Sequence, residues 1–113
     1  MARFNAAFPV LPGKAEELKA FAQETLNRTD ELNACQKRLN LQHESWYLQH
    51  TPMGELLLVI MEGENPLQSL ANFGASREPF DVWFKDQVIA LCGVDLNQPP
   101  PGPMPSLIFD WNA

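Results

Sequence analysis

Phe4, Ala6, Phe8 and Val10 alternate with Arg3, Asn5 and Ala7, a period of two that predicts a half-buried strand over residues 3–10. Leu11-Pro12-Gly13 ends that run and turns the chain. The period then changes. Leu18, Phe21, Ala22, Leu26, Leu32, Cys35 and Leu39 recur at helical spacing, which predicts one long helix over residues 14–39. Glu16 and Glu17 lie in its first turn and Lys37 and Arg38 near its last, as the helix dipole favours.

Two strands are predicted next, at 44–50 and 55–62. Thr51-Pro52-Met53-Gly54 between them is hairpin-turn chemistry, with Pro second and Gly fourth. Residues 56–61 are apolar at every position, the pattern of a strand covered on both faces. A second helical region opens at Asn65-Pro66, where Pro is welcome in a first turn. Gly74-Ala75-Ser76 interrupts it, and Pro79 restarts it behind a Ser76 cap. Phe80, Trp83, Phe84, Val88 and Leu91 form the apolar stripe of the restarted helix, with Val82 and Ile89 on the opposite side, and Gly93 closes it. Residues 97–105 are Pro-rich, a stiff extended connector, and 106–111 reads as a last strand.

Strand, helix, strand, strand, helix, strand is the order of an α+β domain of the ferredoxin-like kind, βαββαβ, with both helical regions on one face of a four-stranded antiparallel sheet. The 113 residues make a single domain, 1–113, and 45% apolar with 19% charged residues is ordinary globular composition. Nothing in the chain is left for the second sheet face, although the strand at 56–61 is apolar on both sides. A second copy joined through the sheet is the simplest cover, because most homo-oligomers are two-fold dimers. The competing cover is the Pro-rich C-terminal segment folded over the sheet.

Net charge is −6, which repels phosphate backbones and anionic lipid and argues against nucleic-acid or membrane-surface partners. The two cysteines, Cys35 and Cys92, are too few and too far apart for a metal motif or a disulfide framework, and each reads as a small buried hydrophobe. No leader or membrane span is legible, so the expected location is the cytoplasm.

Three stretches carry a family likeness: the turn and helix start Leu11-Pro12-Gly13-Lys14-Ala15-Glu16-Glu17-Leu18-Lys19, the strand Glu44-Ser45-Trp46-Tyr47-Leu48-Gln49, and the helix start Ser76-Arg77-Glu78-Pro79-Phe80-Asp81-Val82-Trp83-Phe84. With the element order, they resemble the dimeric α/β-barrel superfamily, which includes antibiotic-biosynthesis-type monooxygenases and stress-responsive barrel proteins. The nearest likeness is to a branch of small proteins of unknown function. The resemblance implies a dimeric barrel and says little about chemistry. Haem-degrading members use an Asn on the first strand, then a Trp and a haem-ligating His on the second helical region. Asn5 and Trp83 match the first two, but no His follows His50, so the resemblance implies no haem chemistry and no cofactor.

Alternation sorts the remaining polar residues. If Phe4, Ala6 and Phe8 face the helices, Arg3 and Asn5 face the cavity of the barrel. If Trp46 and Leu48 face the helices, Ser45, Tyr47 and Gln49 join them. Asn5, Tyr47, Gln49, Trp83 and Arg3 are therefore the candidate ligand-binding residues, a few polar groups in an apolar enclosure. The competing reading makes them bond one another across a dimer interface. His43 and His50, seven apart on one strand, point to opposite faces and offer no metal site. Glu44, Glu62 and Asp110 lie at strand ends, where solvated carboxylates are normal, and Ser45 and Ser76 have no base beside them. Two functional classes remain open. One is a binder of a small apolar molecule in the barrel cavity, extending to a cofactor-independent monooxygenase or isomerase. The other is a non-enzymatic dimeric interaction or regulatory module whose barrel is filled by side chains.

Overall fold

The structure, a computed structural model, describes residues 2–100, 102 and 104–113. Strand β1 (Ala2–Pro9) leads through a tight turn at Gly13 into two helices, α1 (Ala15–Asn27) and α2 (Thr29–Arg38). Strands β2 (Leu41–Thr51) and β3 (Gly54–Gly63) form the hairpin, followed by helices α3 (Pro66–Ala75) and α4 (Pro79–Cys92). Among the described residues the sheet has three strands in the order β1-β3-β2, antiparallel at both seams. The fold is thus α+β, with four helices among the described residues, all before residue 93.

The expected fourth strand at 106–111 is not formed. Residues 104–113 belong to no helix or strand and lie almost wholly in solvent. Pro101 and Pro103 of the preceding connector are outside the described residues.

The expected single helix over 14–39 is two. At Arg28 the backbone leaves helical geometry (φ −85°, ψ 55°), and the hydroxyl of Thr29 donates to the Leu26 carbonyl at 3.0 Å. An unbroken helix would give that carbonyl to the backbone N–H of Asp30, so the side chain competes with the ladder. The elbow is held from outside. The Arg28 guanidinium pairs with Glu24 at 3.1 Å and sits 3.9 Å from the centre of the Trp83 ring. Leu26, expected on the buried stripe, is 61% exposed beside this elbow.

The hairpin follows the sequence signal. Pro52 and Met53 form its two-residue turn, Gly54 has φ 122°, and the Thr51 hydroxyl donates to the Gly54 carbonyl at 2.6 Å. Gly93 closes α4 in the left-handed region at φ 69°. Ser76 does not cap α4 as expected; Glu78 holds that position. Ser76 instead accepts a hydrogen bond from the Glu78 N–H and donates to Asp81.

Side-chain alternation places the core as expected. Phe4 and Ala6 of β1 and Leu57, Val59 and Met61 of β3 face the helices and are buried against Leu18, Phe21, Val88 and Leu91. Phe21 packs in an aromatic cluster, with ring centres 5.0 Å from Phe84, 5.3 Å from Trp83 and 5.7 Å from Trp46. Cys35 and Cys92 are buried free thiols.

Candidate ligand-binding site

Between the helices and the sheet lies a cavity of about 330 Å³. Its walls follow from two periodicities. Leu18, Phe21, Ala22 and Thr25 come from the inner stripe of α1, while Trp46 and Val59 come from the helix-facing positions of β2 and β3. The lining is overwhelmingly apolar and includes the exposed Leu26 and the half-buried Leu32 and Gln36 on either side of the Arg28 elbow.

The polar side chains in this wall are few, and Glu44 is the charged one among them. Glu44 shares the parity of Trp46 and Leu48, so β2 turns its carboxylate toward the helices. Gln36 Nε2 donates to Oε1 at 3.0 Å and Trp46 Nε1 donates to Oε2 at 2.7 Å. A carboxylate has about four acceptor sites, so Glu44 retains capacity to accept from a bound molecule. The hydroxyls of Thr25 and Ser69, also in the lining, are already spent on the carbonyls of Phe21 and Leu39. Cys35 and Cys92 line the cavity as protonated thiols. Burial, and then the hydrogen bond and charge of Asp81, push the Cys35 thiol up to about 12, and burial raises Cys92 as well. Neither supplies a thiolate nucleophile near neutral pH.

The residues singled out by alternation occupy a different surface. Arg3 and Asn5 on β1, with Tyr47 and Gln49 on β2, sit on the sheet face away from the helices, all exposed. Strand register arranges that face in rows: Arg3, Glu62, His43; Asn5, Ile60, Ser45; Ala7, Leu58, Tyr47; Pro9, Leu56, Gln49. A half-buried stripe of Leu56, Leu58 and Ile60 therefore runs between a polar β2 margin and a β1 margin that is polar only at Arg3 and Asn5. Trp83 is separated from the other four, on α4 under the Arg28 guanidinium, and none of the five lines the helix-side cavity. Glu44 and Glu62 are on opposite faces and cannot pair as acid and base. His43 and His50 also diverge, His43 Nδ1 lying 3.3 Å from Glu62 and His50 Nδ1 3.3 Å from Glu55. Among the described residues no three of His, Cys, Asp or Glu are grouped to hold a metal ion.

No family model, curated protein or solved structure matches the chain. No helix among the described residues is long and apolar enough to cross a membrane.

A second polar cluster closes the α2–α3–α4 corner beside the cavity. Asp81 is fully buried and accepts from Arg38 at 2.8 and 3.1 Å and from the Ser76 hydroxyl at 2.6 Å. Lys85, one turn on and 1% exposed, donates to the carbonyls of Gly74 and Ser76, both at 2.9 Å. Burial alone would raise the Asp81 pKa, but the bonds from Arg38, Ser76 and Cys35 outweigh it and hold the carboxyl below its usual range. Every partner is part of the protein's own frame, so the cluster fastens the helices and offers nothing to a ligand.

Proposed function

We propose that the protein binds a small apolar molecule in the cavity between its helices and its sheet, with the Glu44 carboxylate accepting a hydrogen bond from it. The volume carries the reading. The pocket is about 330 Å³, walled almost wholly by apolar side chains and partly open to solvent, so keeping it filled with water is unfavourable. Water is a poor occupant of apolar walls. An apolar cavity of about 150 Å³ takes up benzene, so this one suits a molecule of about two fused rings. Its volume also falls within the range of small-ligand sites. The protonated thiols favour binding over covalent catalysis.

Native mass spectrometry of freshly purified protein tests whether a molecule travels with the chain. Titration with 2-naphthol, an aromatic hydroxyl donor of two rings, tests the cavity directly. The expected result is quenched emission from Trp46 in the cavity wall, together with a rise in melting temperature that grows with ligand concentration. Bare protein mass combined with unchanged emission and melting at millimolar 2-naphthol would sink the reading.

A second reading is favoured by the stripe of Leu56, Leu58 and Ile60 on the open face. In it two copies associate sheet to sheet, the barrel of the resemblance forms between them, and Arg3, Asn5, Tyr47 and Gln49 lie at the joint. The order β1-β3-β2 is that of three strands of a ferredoxin-like sheet, with the fourth place open beside β1. Sedimentation decides it: a dimer at tens of micromolar that Leu58→Asp dissociates supports this reading, and a monomeric wild type removes it.

A further inference from the structure

The C-terminal segment leaves an unusual amount of apolar surface in solvent. Leu107, Ile108, Phe109 and Trp111 are 79%, 93%, 82% and 74% exposed, consecutive or nearly so, in a chain whose other large apolar side chains are mostly covered. Scattered exposed leucines need no explanation, but a contiguous set of this size marks an interaction site. At strand spacing the segment puts Leu107, Phe109 and Trp111 on one side and Ser106, Ile108 and Asp110 on the other. It nevertheless forms no strand pairing among the described residues of its own chain. The sheet meanwhile has an unused edge. β1 is bonded to β3 on one side only, and its other side carries a row of outward N–H and C=O groups that forms a template for another strand.

We infer that residues 106–111 form an exchanged arm, which adds as a strand to the β1 edge of a second copy of this chain, while that copy's arm does the same in return. The inference rests on the second reading above, that two copies associate. Two observations select this occupant. Residues 106–111 belong to no strand, although the β1 edge of their own sheet stands open to them. The area is also sufficient. The four side chains expose roughly 600 Å² of apolar surface per arm, so two exchanged arms alone exceed the roughly 1,000 Å² that a specific interface needs. Exchange is reciprocal by two-fold symmetry, so each chain fills the empty edge of the other and neither arm remains exposed.

The test uses the full chain and the variant L107D/F109D. Both positions are exposed in the single chain, so the helices and sheet should be unaffected, with an unchanged far-ultraviolet circular dichroism spectrum as the check. Sedimentation at 1–100 µM is expected to give a wild-type dimer and a variant whose dimer is weakened at least tenfold. A variant that dimerises as tightly as the wild type overturns the arm and leaves the sheet-to-sheet reading standing. A monomeric wild type overturns both. Trp111 separates exchange from docking on the same chain. Its emission, taken as the difference between wild type and Trp111→Phe, should shift to the blue only as dilution is reversed and dimer forms. A blue-shifted emission that does not change with concentration means that the arm lies on its own sheet, and overturns the exchange.

Discussion

Ala22→Leu decides whether the cavity is real space. Ala22 is half-buried on the inner stripe of α1 and lines the void. Leucine adds three carbons, and burying them contributes up to about 2.4 kcal/mol at ~0.8 kcal/mol each. Counted by volume instead, filling ~80 Å³ of void recovers about 2 kcal/mol. These are two measures of one effect and are not added. Ordering the new side chain takes back about 0.5–1 kcal/mol, and the change in helix propensity is small, which leaves a net gain of about 1–2 kcal/mol. In urea the midpoint should rise by about 1 M with an unchanged slope. Ala34→Leu, at an exposed position of α2, serves as the control and should move the midpoint little. A well-filled core gives the opposite sign, because overpacking costs about 1–3 kcal/mol. A fall in the midpoint for Ala22→Leu would therefore refute the cavity and the binding function built on it.

Phe21→Ala removes a buried ring that packs against Phe84, Trp83 and Trp46, so a loss of about 3–5 kcal/mol is expected in urea melts. A loss below 1 kcal/mol would mean that the α1 stripe is misplaced. The depressed pKa of Asp81 stabilises the fold at pH values above the unfolded carboxylate value, and that contribution is lost as pH falls through the lower folded value. Asp81→Asn should thus cost about 2–3 kcal/mol at pH 7 and progressively less below about pH 4, as checked by urea midpoints across that range. Gly74→Ala would bring a Cβ to 2.5 Å from the Leu96 carbonyl oxygen, a backbone atom with little room to yield. Its melting temperature should drop by several degrees, whereas Gly102→Ala, with open space around it, should have no effect.

The parity of β1 and β2 was legible in the chain, because one buried face enforces alternation and a slip of one residue would invert it; β3, apolar throughout 56–61, carries no such signal, and its register at the Gly54 turn was open. That is why Arg3, Asn5, Tyr47 and Gln49 could be assigned to a common face from sequence. Their position is as read; the enclosing cavity beside them needs a second copy. The helix-side site was harder to see. Glu44 has the parity of Trp46 and Leu48, a signal that this carboxylate points inward, but its place near a strand end suggested a solvated group. The Arg28 elbow escaped periodicity because the stripes of α1 and α2 stay nearly in phase, Thr25 and Leu32 being seven residues apart. Asp81 and Lys85, four apart on a helix, have the spacing of a solvent-facing ion pair. Only the tertiary arrival of Arg38 and the Gly74–Ser76 carbonyls makes both positions buried. The last strand was misread for a related reason: periodicity reports that a segment wants a neighbour, not which chain provides one.

The void has a mechanical consequence. About 330 Å³ per molecule is roughly 200 mL per mole of pocket space, and the part of it that water does not fill is lost when the chain unfolds. Volume changes of unfolding scale with such unfilled space and typically run from about −20 to −100 mL/mol. Hydrostatic pressure should unfold the unliganded protein more readily than a well-filled domain of equal thermal stability. A molecule seated against Phe21 and Trp46 would harden it by occupying the volume that pressure removes.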